Sequence, residues 1–343
     1  MGNTLIYGKS GCGKTTGYMF NKIKEMVENK ENLLIIDRKA EYYKTFGQEL
    51  RNKNYNVLLL NFNSPQKSNG FNILLLPYQL YTNNEKDLSI RMLNSIYKEI
   101  LYCKDYEGDS FWINSAANYL VGITLLLFAN GKEEEINIGS VYTLIMEYER
   151  KSFEKIKSYL DVLSVTNGLY TYLSGTVLAP VDTRGGVMAT IKERLCLYIG
   201  SDNILKLLCT NDIKLTNLDK PYALFIYDND DYASLTNVLI DEFSLFMKNY
   251  NLIIDNADNL GKIERLEMLL DNHLINKVKT YLISYKKENI ELKYGKGILD
   301  KFNKIIDYNN NNDEFKKIGN YNDFPSLENK KQAYINPLSI KFN

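Results

Sequence analysis

The stretch that decides the fold lies near the start of the chain and reads Gly8-Lys9-Ser10-Gly11-Cys12-Gly13-Lys14-Thr15-Thr16. An apolar run, residues 4–7, precedes it and a helical pattern follows it, which is the context in which Gly-x-x-x-x-Gly-Lys-Thr forms a phosphate-binding loop. Its glycines permit a tight turn whose backbone N–H groups converge on one anion. We therefore predict nucleotide binding here, with Lys14 reaching the outer phosphates and Thr15 holding a magnesium ion.

The composition is that of an ordinary globular protein without excess charge. The 343 residues are 45% hydrophobic and 24% charged, and 42 Lys+Arg balance 42 Asp+Glu. A chain of this length has room for one large domain with an insertion or for two unequal domains. Because the net charge is zero, the composition does not indicate a nucleic-acid-binding protein, and any contact with DNA would need a local basic surface.

The cysteines and the apolar runs indicate the compartment. Cys12, Cys103, Cys196 and Cys209 show neither Cys-x-x-Cys spacing nor histidine partners, which argues against a zinc site or a disulfide framework and favours a reducing cytoplasm. The longest apolar run, residues 119–129, is shorter than the roughly twenty residues that a membrane helix needs. We therefore expect neither a leader peptide nor a transmembrane segment.

Strand and helix patterns alternate on both sides of a long helical stretch. The apolar runs typical of buried parallel strands are residues 4–7, 33–37, 57–60, 223–227, 252–254 and 281–283. We predict an α/β fold, a mostly parallel sheet with an inserted all-alpha domain. The predicted segments are residues 1–76 for the first half of the nucleotide-binding domain, 77–182 for the all-alpha insertion, 183–320 for the second half and 321–343 for an irregular tail.

A magnesium nucleotide site also needs an acidic residue at the end of a neighbouring strand. Three apolar runs end in an aspartate, namely Asp37, Asp228 and Asp255. Chain order alone does not choose among them. We favour Asp255 for the metal because residues 252–254 form the cleanest hydrophobic run and lie beyond the helical insertion.

Five stretches resemble, in the same order, the signature sequences of one family. Residues 37–42 (DRKAEY) resemble Asp-Pro-Lys-Gly-Glu-(Leu/Ile)-Tyr, residues 71–74 (FNIL) resemble Phe-Asn-Pro-Leu, and residues 111–116 (FWINSA) resemble Phe-Trp-x-x-Ser-Ala. Residues 255–263 (DNADNLGKI) resemble Asp-Glu-Phe-x-Asn-(Ile/Leu)-Gly-Lys-Ile, and residues 292–295 (LKYG) resemble Leu-x-x-x-Tyr-Gly with one residue fewer. The family is that of the TraG-like coupling proteins of type IV secretion, the ATPases of conjugative DNA transfer.

The resemblance implies a P-loop NTPase fold of the RecA/FtsK type and a function in moving or recruiting DNA or a nucleoprotein. The implied cofactors are ATP and Mg²⁺, with catalytic roles for Lys14 and Asp255 and metal binding by Thr15 and Asp255. The residues expected to hold the nucleotide are Gly8, Ser10, Gly11, Cys12, Gly13, Lys14, Thr15 and Thr16. The implied partners are DNA or a relaxase–DNA complex, type IV secretion or conjugation components, and further copies of the chain in a hexameric ring.

The family usually carries an amino-terminal membrane anchor, whereas here the phosphate loop starts at residue 8. We therefore expect a compact form without an anchor of its own. Such a chain would be cytoplasmic, or held at the inner face of the membrane by a separate partner.

Three positions depart from the family pattern. Asn256 stands where the family has the glutamate that orients water, and Ser284 or Tyr285 stands where it has a sensing glutamine. His273 lies near the position of the arginine that reaches a neighbouring subunit. An arginine finger is worth on the order of a thousandfold or more in hydrolysis rate, so these losses predict slow turnover. The available substitutes are Lys277 or Lys279 for the finger and Glu264 or Asp258 for the carboxylate.

Lysines and tyrosines alternate in the last third of the chain. They predict either a basic surface that follows a nucleic-acid backbone or a solvated face of lysine-rich helices. The residues are Lys277, Lys279, Lys286, Lys287, Lys293 and Lys296, with Tyr281, Tyr285 and Tyr294.

Three functions therefore remain open. The first is a DNA-translocating coupling ATPase, and the second is a nucleotide-binding pseudo-ATPase that serves as a scaffold or recruits substrate. The third is an unrelated P-loop enzyme such as a small-molecule kinase. The helical insertion ahead of Asp255 and the ordered family motifs argue against the third.

Overall fold

The computed structural model describes residues 2–102, 108–215, 220–271, 277–309 and 321–342. The chain forms two compact units, each made of two separate segments. Met1–Asn69 and Lys214–Ser326 form the first, which we call the sheet unit, and Gly70–Ile213 and Leu327–Asn343 form the second, the helical unit.

The sheet unit contains a seven-stranded, entirely parallel sheet. Its strands are β1 (Thr4–Tyr7), β2 (Asn32–Asp37), β3 (Asn56–Asn61), β4 (Tyr222–Tyr227), β5 (Tyr250–Ile254), β6 (Lys279–Ser284) and β7 (Lys304–Asp307). They lie in the order β3-β4-β2-β5-β6-β1-β7. The predicted α/β class with a parallel sheet is confirmed. Since all strands run the same way, the loops that follow them meet at one edge of the sheet, where α/β proteins bind their ligands.

The central strands are apolar along their length because both faces of the sheet are covered. Ile6 of β1 lies opposite Ile283 of β6, and both side chains are buried. The six strand patterns in the sequence correspond to β1–β6. The seventh strand escaped prediction because β7 is a short edge strand in which Lys304 and Ile305 are exposed, so it lacks a continuous apolar run.

Helices cover the strands of the sheet unit. They are a π-helical turn (Lys14–Met19) that continues into α1 (Phe20–Glu28), then α2 (Glu41–Asn52), α11 (Ala233–Phe246), α12 (Leu266–Asp271) and α13 (Lys287–Tyr294), with 3-10 turns at Pro65–Lys67, Asp230–Tyr232 and Lys296–Lys301. The Phe20 ring of α1 makes edge-to-face contacts with Tyr42 and Phe46 of α2 at centroid distances of 5.4 and 5.1 Å. This aromatic cluster fixes the beginnings of α1 and α2 side by side.

The described part of the helical unit contains no strand. Its helices are α3 (Leu75–Thr82), α4 (Lys86–Leu101), α5 (Ser110–Asn130), α6 (Ile138–Arg150), α7 (Glu154–Val162), α8 (Gly168–Val177), α9 (Val181–Ile199) and α10 (Asp202–Leu208), with 3-10 turns at Glu133–Glu135 and Pro337–Ser339. The side chain of Asp109 accepts the Phe111 N–H and so caps the start of α5.

Helix α5 is the centre of the helical unit and contacts α4, α6, α8 and α9. It has 21 residues, so the helix is longer than the apolar run at residues 119–129 indicated. Among the residues that the structure describes, α5 alone is long and apolar enough to cross a membrane by those two criteria, and 67% of its most apolar window is buried. This burial is typical of the core helix of a globular unit.

The bounds of the helical unit differ from those predicted for the all-alpha insertion. The helical unit begins at Gly70 instead of residue 77 and extends to Ile213 instead of residue 182. The predicted return to the nucleotide-binding domain at residue 183 lies inside α9, which also contains Gly185 and Gly186. A Cβ on Gly186 would lie 2.4 Å from the Trp112 ring, so this glycine permits close packing of α9 on α5.

The predicted irregular tail is anchored in two places. Tyr321 packs on Tyr43 and against Gly47 of α2, and its hydroxyl accepts a hydrogen bond from the Arg51 side chain. Further along, the Ile335 N–H donates to Ser140 Oγ of α6 at 3.0 Å. The segment therefore contributes packing to the sheet unit up to Ser326 and to the helical unit beyond it.

Candidate functional site

The glycine-rich loop follows β1 and turns through two left-handed residues. Gly11 and Gly13 have φ angles of 82° and 91°, a conformation that side chains disfavour. The Lys14 ammonium donates to the carbonyl oxygens of Gly8 and Lys9, at 2.8 Å for Lys9. The backbone and the lysine therefore form one compact loop at the carboxyl edge of the sheet.

Asp255, directly after β5, lies against this loop. Its Oδ2 atom accepts the hydroxyl of Thr15 at 2.7 Å and the hydroxyl of Tyr42 at 2.7 Å. The structure thus brings together Asp255 and Thr15, the two residues that the sequence analysis assigned to the metal. The contact with Tyr42 was not foreseen, because it depends on the packing of α2 against the loop after β5 and not on a local sequence pattern.

Asp37, at the end of β2, has a different environment. Its carboxylate accepts the backbone N–H groups of Lys39, Ala40 and Tyr42 and so closes the turn that leads into α2. Burial raises the pKa of Asp37 from 3.8 to about 7, and the negative charge of Asp255 acts in the same direction, while the backbone N–H groups oppose the rise.

Asp228 is the third strand-end aspartate, and among the described residues its carboxylate is hydrogen-bonded neither to the glycine-rich loop nor to the turn that leads into α2. It follows β4, and its carboxylate accepts the Thr236 hydroxyl of α11. Burial raises its pKa to about 6, against the lowering effects of Thr236 and Arg38. Its hydrogen bond ties a strand to the following helix, which is a structural role.

A cavity of about 330 Å³ opens beside the loop. Residues from four segments of the chain line it. These residues are Ser10, Gly11, Gly13, Lys14, Thr15, Thr16, Lys39, Glu41, Asp255, Asn256, Ile283, Ser284 and Tyr285. The predicted residues Gly8 and Cys12 do not line it but support the loop, since a Cβ on Gly8 would lie 2.9 Å from Cys12 Sγ.

Two of the three positions that depart from the family pattern, Asn256 and Ser284 or Tyr285, lie at this cavity. Asn256 adopts a φ of 60°, and its side-chain oxygen accepts a hydrogen bond from Asn259. The Ser284 hydroxyl donates to Asp258 at 2.8 Å, whereas Tyr285 is 42% exposed. None of these three side chains is a carboxylate or an amide of glutamine, so their chemistry differs from that of the family residues.

The two candidate replacements for the missing glutamate, Asp258 and Glu264, have different surroundings. Asp258 accepts Ser284 Oγ, the Tyr285 N–H and Asn289 Nδ2, so its carboxylate organises the loops after β5 and β6. Glu264 forms an ion pair with Lys262 at 3.2 Å. It is not among the residues that line the cavity.

For the arginine finger, Lys279 pairs with Glu31 at 2.9 Å and Lys277 is exposed. His273 lies outside the described residues.

The alternating lysines and tyrosines do not form one continuous surface. Lys293 donates to the carbonyl oxygens of residues 257, 258 and 260 and so braces the loop after β5. Tyr281 and Tyr294 are buried. The exposed lysines of this set, Lys277, Lys286 and Lys296, therefore fit the second interpretation, a solvated face, better than a lysine-tyrosine surface for nucleic acid.

Comparisons with known proteins identify the family and the fold. A family model described as "Type IV secretory system Conjugative DNA transfer" matches residues 2–321. No curated protein sequence matches the chain. Among solved structures, the plasmid coupling protein TrwB in complex with ADP and Mg²⁺ is 13% identical, with a TM-score of 0.57, over 88% of this chain and 69% of that chain.

The same values hold for TrwB in complex with the non-hydrolysable ATP analogue ADPNP. At this level of identity the structural likeness shows the fold alone, and it confirms the predicted P-loop NTPase architecture. The match of the family model over nearly the whole length is independent of it and confirms the resemblance drawn from the five motifs. This chain belongs to the type IV secretion family of conjugative DNA transfer coupling proteins.

Proposed function

We propose that the chain binds ATP with Mg²⁺ in the cavity beside the glycine-rich loop and uses it to move or recruit DNA for conjugative transfer. The observation that carries the proposal is the contact of Thr15 Oγ1 with Asp255 Oδ2 next to Lys14. A hydroxyl and a carboxylate are the hard oxygen donors that Mg²⁺ prefers, directly or through water. TrwB, which shares the fold, has been solved with ADP and Mg²⁺ and with ADPNP.

One hydroxyl group of the loop indicates whether the site suits a triphosphate. Thr16 Oγ1 is buried at the cavity and has no hydrogen-bond partner among the described residues. A buried hydroxyl without a partner is costly, and a phosphate oxygen would satisfy it. The residues present therefore suit the group that the loop pattern implies.

Each residue has a distinct role in this proposal. The backbone from Gly8 to Thr16 would hold the phosphates, Lys14 would neutralise the outer charge, and Thr15 and Asp255 would hold the metal. The bound Mg²⁺ would supply charge stabilisation for the departing phosphate.

The partners follow from the family and not from a surface on the described residues. They are DNA or a relaxase–DNA complex, other components of the type IV secretion apparatus, and further copies of the chain in a ring. We propose a location in the cytoplasm or at the inner face of the membrane through a separate partner.

DNA-stimulated ATP hydrolysis of the purified chain tests the motor function. We expect the wild type to hydrolyse ATP faster than Lys14→Ala and to respond to DNA, and we expect Asn256→Glu to raise the rate further. If the wild type hydrolyses ATP no faster than Lys14→Ala, with or without DNA, the proposed motor function is wrong for this chain. The alternative is then a scaffold that binds nucleotide.

A further inference from the structure

The cavity lining contains two carboxylates among the described residues, those of Asp255 and Glu41. Asp255 Oδ2 already accepts two hydroxyl groups. The Lys39 ammonium lies 3.8 Å from Glu41 Oε1, a distance too long for a hydrogen bond. Glu41 lines the cavity, and 26% of its side chain is exposed to solvent.

The start of α2 holds Glu41 in this position. Ala40, immediately before it, has a φ of 52°, a turn that is closed by the hydrogen bonds to Asp37. Tyr42, immediately after it, is fully buried and donates its hydroxyl to Asp255. Because both neighbours are fixed, Glu41 has little backbone freedom at the edge of the cavity.

Other acids near the cavity are engaged elsewhere. Asp37 is buried and accepts three backbone N–H groups, and Asp258 accepts three donors from the loop after β6 and α13. Asn256 is an amide and cannot take a proton from water. Of the two carboxylates in this lining, Glu41 is therefore the one to which no described residue donates a hydrogen bond.

We infer that Glu41 orients and deprotonates the water that attacks ATP, which rests on the proposed ATP site. The water oxygen forms a bond to the γ-phosphorus, and the water proton passes to a Glu41 carboxylate oxygen. The bond between the γ-phosphorus and the β–γ bridging oxygen breaks, and its electron pair stays on ADP. The proton then passes from Glu41 to the released phosphate.

Glu41→Gln tests this inference, with Glu264→Gln as the matched control. A positioned base contributes about 10²- to 10⁴-fold, so single-turnover ATP hydrolysis by Glu41→Gln should fall at least about 100-fold. Its affinity for Mg²⁺·ADPNP should stay equal or become tighter, because a negative charge near the phosphates is removed. Glu264→Gln should match the wild type in both measurements.

Two results would overturn the inference and leave the ATP site intact. One is a hydrolysis rate for Glu41→Gln within about threefold of the wild type. The other is a loss of ADPNP affinity by the same factor as the rate, which would show a structural role for Glu41. A wild type that binds Mg²⁺·ADPNP without hydrolysing ATP also overturns it, whereas absence of binding overturns the proposed function itself.

Discussion

The carboxyl ends of β2 and β5 both carry a buried aspartate, but the two carboxylates contact different kinds of donor. Asp37 accepts three backbone N–H groups at the start of α2. Asp255 accepts the hydroxyls of Thr15 and Tyr42, which come from two separate segments. Backbone donors close a local turn, while side-chain donors connect distant parts of the chain. The donors, and not the position at the strand end, therefore distinguish an aspartate that shapes a helix from one that belongs to a site.

The largest expected effect concerns Asp37 and the pH dependence of stability. Its pKa is about 7 in the folded protein and near 3.8 when unfolded, so between these values the folded state retains a proton that the unfolded chain has lost. Stability therefore falls as the pH rises through this window, and the full penalty applies above pH 7. Asp37→Asn removes the titrating group while keeping an oxygen acceptor.

We expect the free energy of unfolding of the wild type to fall by about 3 kcal/mol more than that of Asp37→Asn between pH 5 and pH 8. Urea unfolding without nucleotide or Mg²⁺ measures this difference. Equal pH dependence of the two proteins would show that Asp37 is already ionised at pH 5.

The next largest effect separates the two aspartates directly. Asp255→Asn should weaken Mg²⁺-dependent binding of ADPNP by about 10- to 100-fold, as is typical when a residue that orients a bound metal is lost. Asp37→Asn should change this affinity by less than about threefold. Equal losses for both variants, measured by equilibrium titration, would contradict the distinction drawn from their hydrogen bonds.

The smallest effect concerns the tyrosine that links α2 to Asp255. Tyr42→Phe removes one hydrogen bond to a carboxylate and should raise the Mg²⁺ concentration needed for half-maximal ADPNP binding about fivefold. Tyr43→Phe is the matched control, because Tyr43 is equally buried in the same helix and donates its hydroxyl to the Asp323 carbonyl at 2.7 Å. If both variants behave alike, the Tyr42 hydroxyl does not position Asp255.

The sequence allowed the architecture to be predicted where the physical signal is local. The apolar runs of β1, β2 and β4–β6 reflect burial on both faces of a sheet and were recognisable without the structure. Edge strand β7 and the end of the helical unit were not recognisable. An exposed strand has no continuous apolar run, and the helical unit continues through α9 and α10 to Ile213, with no break in the helical pattern that marks its end.

The site was predictable to the same extent. The glycine-rich loop carries its own signature. The sequence favoured Asp255 among the three strand-end aspartates, and the structure places it beside Thr15, while its binding of a metal stays a prediction. Glu41 was quoted as part of a family signature, but its presence in the cavity depends on the packing of α2 and on strand order. Contacts between segments far apart in sequence cannot be recognised from one amino-acid sequence.

The central claim is that the cavity beside the glycine-rich loop binds Mg²⁺·ATP. Calorimetric titration of ADPNP into the purified chain, with and without Mg²⁺ and beside Lys14→Ala, tests it most directly. The account predicts saturable binding at one site per chain that is strengthened by Mg²⁺ and lost in Lys14→Ala. Absence of saturable binding by the wild type, or equal binding by Lys14→Ala, would contradict it.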